Sequence, residues 1–476
     1  MNSISGWKTA CFTTLFCAAT AISSPTQTFT TLASFDNTNG SFSQAPLIQG
    51  LDGNLYGTTD DGGLKASGTA FKITLAGKLT LVHYFCSRTD CADGEVPESG
   101  LVPATNGDLY GITSSGGSGC SYCGTVFQIT SQGTLFTLHS FDGSDGLNPL
   151  GLMQATNGDF YGTTSTGGSG SGGTIFRMTP AGTLTTLYNF EDFNYSVAGL
   201  VEGTGGNFYG TTITYGNNGY GTIFKMTPDG AVTTLRSFSG TDGSWPVAPL
   251  MEASNGHFYG TTAQGGPASS ICVTTGCGTV FEITPEGVLT TLHYFAGPDG
   301  LSPSGALIQG TDGNLYGTTS GGGPANSSCQ FGCGTIFQIT PEGKFTTLHT
   351  FDGLDGQYPY IALVQATDGN FYGTTYAGGS SAACTEGCGT VFRLSMGLSP
   401  FVETVPTAKC PGRSVKILGT ALTGATSVTF NGVAATFTVV SPTEITTTVP
   451  AGATTGKVEV VTPSGTLSTN VTFRVF

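Results

Sequence analysis

Glu202 and Glu252 hold the same position in two consecutive copies of a repeat, and they are the chain's only register-matched carboxylate pair. Two carboxylates at a suitable separation can divide acid and base work on a glycosidic bond. Their column reads Gln49, Pro103, Gln154, Glu202, Glu252, Gln309 and Gln365, so the plainer reading is a solvated polar wall. A second column is Asp-Gly: Asp93, Asp145, Asp242, Asp299 and Asp355, with Asn39 equivalent in the first copy. A ring of aspartates invites calcium or a polar ligand. Calcium, however, needs roughly six to eight oxygens gathered closely, and Asp-Gly is also what a tight turn prefers. Trp245 lies beside Pro246 in one of these loops, where an indole can stack on a sugar or pack as a rim aromatic. The expected ligand-binding residues are Asp145, Asp242, Trp245, Asp299 and Asp355. No metal site and no cofactor are expected.

Apart from Cys11 and Cys17 in the N-terminal apolar run, cysteines come in close pairs: Cys86/Cys91, Cys120/Cys123, Cys272/Cys277, Cys329/Cys333 and Cys384/Cys388, with Cys410 alone. Four of the pairs precede a Gly-Thr-hydrophobic-Phe phrase. Zinc would need about four converging ligands, and each pair stands in its own repeat without a neighbouring histidine. Disulfides pinning loops in an exported protein are the better reading. His83, His139, His293 and His349 share one repeat position, which marks them as scaffold. No nucleophile elbow, zinc helix or phosphate loop is present.

What positions these residues is a sentence written seven times around Gly-Asn-Leu-Tyr-Gly-Thr-Thr, with its tyrosine at 56, 110, 161, 209, 259, 316 and 372. Repeats of this length form stacked or radial arrays in which no unit buries its apolar face alone. The sixth copy reads as four strands with period-two alternation: 306–309, 315–319, 334–340 and 345–351. Seven such units predict an all-β fold, a seven-bladed β-propeller. The last copy stops after its third strand, and the missing fourth stands at 29–35, so one blade is shared by the two ends and no edge stays open. In this strand order the loops joining fourth to first and second to third strands share one face, and first strands line the channel.

Beyond residue 397 the repeat vanishes. The phrases at 419–437, 443–450 and 456–465 read as short strands of a small β-sandwich, and they closely resemble the IPT/TIG immunoglobulin-like family. The repeats resemble the GloVer tandem-repeat family of bacterial exported proteins through phrases such as 313–319, 334–337 and 346–351. That resemblance implies a surface or secreted location, often with a C-terminal anchor. It implies no activity and assigns no functional residue. The expected domains are a signal peptide at 1–24, the propeller at 25–397 and the IPT/TIG sandwich at 398–476.

Composition narrows the function. The chain has 75 glycines in 476 residues, only 9% charged residues and a net charge of −15. Fifteen scattered Lys and Arg residues give no basic stripe, which argues against nucleic acid. Lys8, the apolar run 11–22 and the small residues after it read as an export signal, too short to span a bilayer. A secreted or extracytoplasmic protein, or one at the cell surface, is expected. It would act as a monomer without a membrane span, with a polysaccharide or a cell-envelope protein as partner. Two functions compete: a non-catalytic binding or scaffold protein using the loop face, and a carbohydrate-active hydrolase or lyase using Glu202 and Glu252.

Overall fold

A computed structural model describes residues 27–476 except 105, 121, 192–197 and 217. The expected signal peptide, and most of the segment 191–195 where the fourth copy departs from Asp-Gly, therefore lie outside the described residues. The chain forms seven four-stranded antiparallel sheets followed by a two-sheet sandwich. It is a seven-bladed β-propeller with an immunoglobulin-like module. In the sixth blade the strands are Ile308–Gln309, Leu315–Thr319, Thr335–Ile339 and Phe345–Thr350. The seventh blade takes its outer strand, Thr28–Ser34, from the start of the chain, with Phe29 opposite Leu394.

The repeated phrase is explained by what it packs. In the second strand Tyr161 stacks on Phe208 of the next blade at 4.2 Å, and Tyr316 meets Phe371 at 4.1 Å. The glycine after that tyrosine makes room for the third strand's phenylalanine: a Cβ on Gly162 would stand 2.3 Å from Phe176 Cζ. The second threonine of the phrase pairs with the threonine that opens the third strand. Thr59–Thr69, Thr319–Thr335 and Thr375–Thr390 hold their hydroxyls 2.8–2.9 Å apart, fully buried. Buried hydroxyls must find partners, and these satisfy each other. The glycine of Asp-Gly presses on the same pair: Gly356 has φ +134°, and a Cβ there would stand 2.5 Å from Thr375 Cγ2. Only glycine meets both demands.

The core is shared between neighbours. Leu55, Phe71 and Ile73 of the first blade pack with Phe35, Tyr372, Cys388 and Val391 of the seventh. The ring is thus closed by the same apolar seam that joins every other pair of blades. The sandwich pairs Val402–Val405, Ser414–Gly419, Glu444–Thr448 and Phe437–Val439 in one sheet. Its other sheet holds Val433–Ala434, Ser427–Phe430, Val458–Thr462 and Gly465–Ser468. Val415, Ile417, Phe430, Ile445, Val460 and Phe473 fill the space between them.

The five expected cysteine pairs are all bonded: Cys86–Cys91, Cys120–Cys123, Cys272–Cys277, Cys329–Cys333 and Cys384–Cys388. They pin loops as expected, and four of them do so against the core. Cys123, Cys277, Cys333 and Cys388 are fully buried, and none of them is a loop-surface residue. Each belongs to the core between blades, packed in the same apolar cluster as the third-strand residue three positions on: Val126, Val280, Ile336 and Val391. The reason is position, since this cysteine stands just before the Gly-Thr that opens the buried third strand. A half-cystine is itself an apolar group that fills such a site. The bond therefore ties the loop to the core, with the earlier cysteine on the loop side.

Candidate functional site

The Asp-Gly aspartates and the fourth-strand histidines, two separate columns in the sequence, meet in space. His83 faces Asp93 at 3.0 Å, His139 faces Asp145 at 2.6 Å, His293 faces Asp299 at 2.9 Å and His349 faces Asp355 at 2.8 Å. Arg236 takes the histidine's place against Asp242. The other carboxylate oxygen caps its own loop, accepting backbone N–H groups such as those of Asp142, Ala296 and Asp352. Asp93 is fully buried. Burial pushes its carboxyl up, but hydrogen bonds from His83, from the Ser87 hydroxyl and from the Arg88 and Ser87 N–H groups outweigh it and hold it well below the usual range. Where the histidine is absent, at Ala33, the aspartate is Asn39, which still accepts the Asp36 N–H at 3.0 Å.

Glu202 and Glu252 lie at the opposite end of the channel, each clasping the preceding blade. Thr156 donates to Glu202 from its backbone N–H at 2.8 Å and its hydroxyl at 2.6 Å. Thr204 does the same to Glu252 at 2.9 and 2.6 Å. The glutamines of the column do equivalent work. Gln309 accepts from the Ser254 N–H and Gln365 from the Thr311 N–H, each at 2.9 Å. Each also donates to the carbonyl four residues on, Gly313 or Gly369.

The immunoglobulin-like module covers this end. Thr443 donates to the Leu51 carbonyl at 2.9 Å, Arg474 to the Gly203 carbonyl at 3.3 Å and Asn470 to the Gln309 carbonyl at 3.0 Å. The Thr367 and Thr420 hydroxyls meet at 2.9 Å. These contacts reach the first, fourth, sixth and seventh blades, on opposite sides of the ring, so the module spans the channel mouth. Beside it runs a cleft of about 580 Å3 against the first two blades, lined by the ion pairs Lys72–Asp52 and Lys416–Glu444 and by Asp108, which accepts from Gln128.

The other mouth stays open. The channel, about 430 Å3, is lined by residues in or just before the first strands of all seven blades, among them Gln44, Glu98, Leu150, Val247, Ser304 and Tyr360. Below them lie Pro46, Leu152, Pro249, Ala306 and Ala362. Among the described residues the polar lining is concentrated where the sixth, seventh, first and second blades meet, with Ser304 as the sixth blade's member. Gln44 Nε2 donates to Asp60 Oδ2, while Asp60 Oδ1 is buried without a partner. Burial, and then the nearby Glu98 and Asp61 carboxylates, push Asp60 up to about 8 despite the Gln44 bond. Glu98 reaches the channel water but is crowded by protein, and that burial raises its carboxyl too. Tyr376 packs between Phe42 at 4.9 Å and Tyr360 at 5.4 Å. Sequence reading passed over this cluster, although a signal existed: the residue after Gly-Thr-Thr is Ser114, Ser165, Ile213, Ala263 or Ser320 elsewhere, but Asp60 and Tyr376 here.

Trp245 is 42% exposed at the loop face, held at φ +57° before Pro246. Cys410 is a free, exposed thiol. Among the described residues the one cluster of potential metal ligands is Cys86, Cys91 and Glu95, whose two sulfurs are bonded to each other and offer no thiolate.

Fold and site together define a tandem-repeat propeller with its channel stoppered at one end by an immunoglobulin-like module. The chain belongs to the Gloeobacter/Verrucomicrobia repeat family, whose model matches residues 14–122, 107–328 and 269–414. The IPT/TIG domain model matches residues 400–475. No curated protein matches it. Among solved structures it is similar to a fungal alcohol oxidase of the AA5 family in complex with copper, at 13% identity and TM-score 0.52, covering 93% of this chain and 98% of that one. It also matches the extracellular domain of the putative one component system BT4673 from B. thetaiotaomicron, at 10% identity and TM-score 0.48. That match covers 95% of this chain and 58% of the other. At such identities the likeness is one of fold.

Proposed function

We propose that this is an exported, non-catalytic binding protein that takes a protein partner of the cell envelope on the propeller face opposite the immunoglobulin-like module. The observation that carries this reading is where large apolar side chains are exposed. Leu64, Tyr122, Trp245, Val273, Phe331 and Leu354 all stand in loops of that face, and four of them, Leu64, Tyr122, Val273 and Leu354, are at least two-thirds exposed. Apolar residues gathered on one face mark an interaction surface. Aliphatic members beside aromatic ones favour a protein surface over a glycan, which takes mainly aromatic platforms.

The engagement of Glu202 and Glu252 in bonds between blades supports a non-catalytic role, as does the pairing of the loop aspartates with histidine or arginine. Local disulfides support an oxidising, extracytoplasmic setting. Among the described residues no helix is long and apolar enough to cross a membrane. The test is an array carrying both envelope proteins and glycans, probed with the full chain and with Trp245→Ala. Protein hits weakened at least about tenfold by the substitution are expected, the usual effect of removing a central aromatic anchor. Hits confined to glycans, or unchanged by Trp245→Ala, would refute the reading.

A further inference from the structure

The open channel mouth departs from the sevenfold pattern at Asp60 and Tyr376. Carboxylates gather there, and among the described residues no ion pair joins Asp60, Asp61, Glu98 or Glu386 to a cation. The charges acting most strongly on Asp60 are Glu98 and Asp61, and those acting on Tyr376 are Asp60, Asp61, Glu386 and Glu98. Elsewhere in the loop face the Asp-Gly aspartates Asp93, Asp145, Asp242, Asp299 and Asp355 each have a histidine or arginine. A buried carboxylate oxygen without a partner, as at Asp60, costs on the order of 1–3 kcal/mol unless a ligand or proton satisfies the group. Beside these charges stand the rings of Phe42, Tyr360 and Tyr376, whose faces attract cations. Beneath them the wall is proline, leucine and alanine.

We infer that the mouth formed by Asp60, Glu98, Tyr360 and Tyr376 is a binding site for an alkylammonium group, its cation among the carboxylates and rings and its aliphatic stem directed down the apolar channel. The inference deepens the partner-binding reading above and rests on it in one respect: a lysyl side chain of the docked protein is one source of the group, a free aliphatic amine the other. Three features select this chemistry. A neutral polyol would leave the negative charges uncompensated and meet an apolar wall. A divalent metal needs several oxygens within reach of one point, and among the described residues these carboxylates form no such cluster. An alkylammonium meets both demands at once. Glu98, open to the channel, makes the contact, while Asp60 behind Gln44 supplies the second charge.

The test is calorimetric titration of the full chain with n-hexylammonium, 1-hexanol, calcium chloride and an acetylated lysine peptide. Hexylammonium should bind at least about tenfold more tightly than hexanol, the scale of one desolvated ion pair. Its affinity should rise as pH goes from 6 to 9, because Asp60 must lose its proton. Glu98→Gln should weaken binding at least about tenfold, and the isosteric Asp60→Asn should flatten the pH dependence without unfolding the protein. Tighter binding of the peptide assigns the site to a lysyl side chain, and tighter binding of the free amine to a small molecule. Equal binding of hexanol, indifference to Glu98→Gln, a preference for calcium, or no binding of either amine would overturn the assignment. Amine binding alongside a protein array without hits would keep this site and remove the platform. Protein binding indifferent to Glu98→Gln, with no amine binding, would do the reverse.

Discussion

Gln49 accepts the backbone N–H of Thr367 at 2.8 Å, across 318 residues of sequence, at the seam where the first blade meets the last. The bond repeats at Glu202 with Thr156, Glu252 with Thr204, Gln309 with Ser254 and Gln365 with Thr311. A column that sequence alone offered as channel-lining is thus a set of staples, each fixing one blade to the turn of its predecessor. The ring closes by using at its seam the bond it uses elsewhere.

Removing that staple should be felt where the ring closes. Gln49 is buried, so Gln49→Ala leaves the Thr367 N–H and the Gly53 carbonyl unpaired and should cost about 2–4 kcal/mol in urea unfolding. Glu202→Gln and Glu252→Gln should be neutral or slightly stabilising. The amide still accepts the N–H, and it gains a donor for the glycine carbonyl that Gln309 already uses. A polysaccharide-degrading activity abolished by Glu202→Gln would contradict the structural role assigned to this column.

The histidine–aspartate pairs make a prediction with a definite pH sign. Asp93 is held below its unfolded value of 3.8, so its contribution is present above that pH and is lost as pH falls below it. Asp93→Asn should cost about 2–4 kcal/mol at pH 7, because the site is dry and built of donors to a carboxylate. The cost should shrink toward pH 2. At the seam, where Ala33 of the seventh blade's outer strand replaces histidine, Asn39→Asp should destabilise instead. Chemical denaturation of the variants at pH 7 and pH 3 separates these outcomes.

Much of this was legible because the repeat restates itself. Strand positions, the strand lent by residues 29–35 and the sandwich after residue 397 follow from periodicity and from where the copies begin and stop. The six-residue step from His139 to Asp145, from His293 to Asp299 and from His349 to Asp355 was also on the page, together with the joint change to Ala33 and Asn39. Each column looked like scaffold when taken alone. Their contact depends on the loop folding back over its own strand end, which no spacing rule states. The reach of Glu202 to Thr156 crosses between blades, so it exists only once the ring has formed. The pairing of Cys329 with Cys333 was legible from spacing, but the burial of Cys333 was not, because the core that covers it comes from the next blade. Asp60 was hidden for the opposite reason, as one of three departures, with Ile213 and Tyr376, in a column otherwise of serine and alanine.

Reduction should loosen loops and spare blades. Each disulfide closes a span of only three to five residues. Chain entropy then accounts for about 2 kcal/mol per bond, against a core shared around the whole ring. Cys120 is exposed and Cys384 half-buried, whereas Cys329 and Cys333 are both buried, so the bonds at Cys120 and Cys384 should open before Cys329–Cys333. Under a mild reductant, hydrogen exchange should quicken at 380–388 and then at 324–333, while the strands Thr335–Ile339 and Thr390–Ser395 stay protected. Loss of protection in those strands at the same reductant concentration would show that the bonds hold the blades themselves.

Asp60 should give the opposite pH dependence to Asp93. Its carboxyl is raised from 3.8 to about 8, chiefly by burial, so the folded state favours the protonated form. The stability this confers is complete below about pH 4 and is lost as pH rises through 8. Asp60→Asn should therefore match the wild type at pH 4 and exceed it at pH 9, by on the order of 5 kcal/mol. Glu403, raised to about 7 by burial in the first strand of the sandwich, adds a slope of the same sign to both proteins, so it cancels in the comparison. The difference should also narrow when hexylammonium is present at pH 9, because the bound cation stabilises only the ionised wild-type site. Equal stability of wild type and Asp60→Asn across the range would mean that Asp60 is ionised and satisfied in the folded protein, and the mouth would then lose the uncompensated charge that marks it as a site.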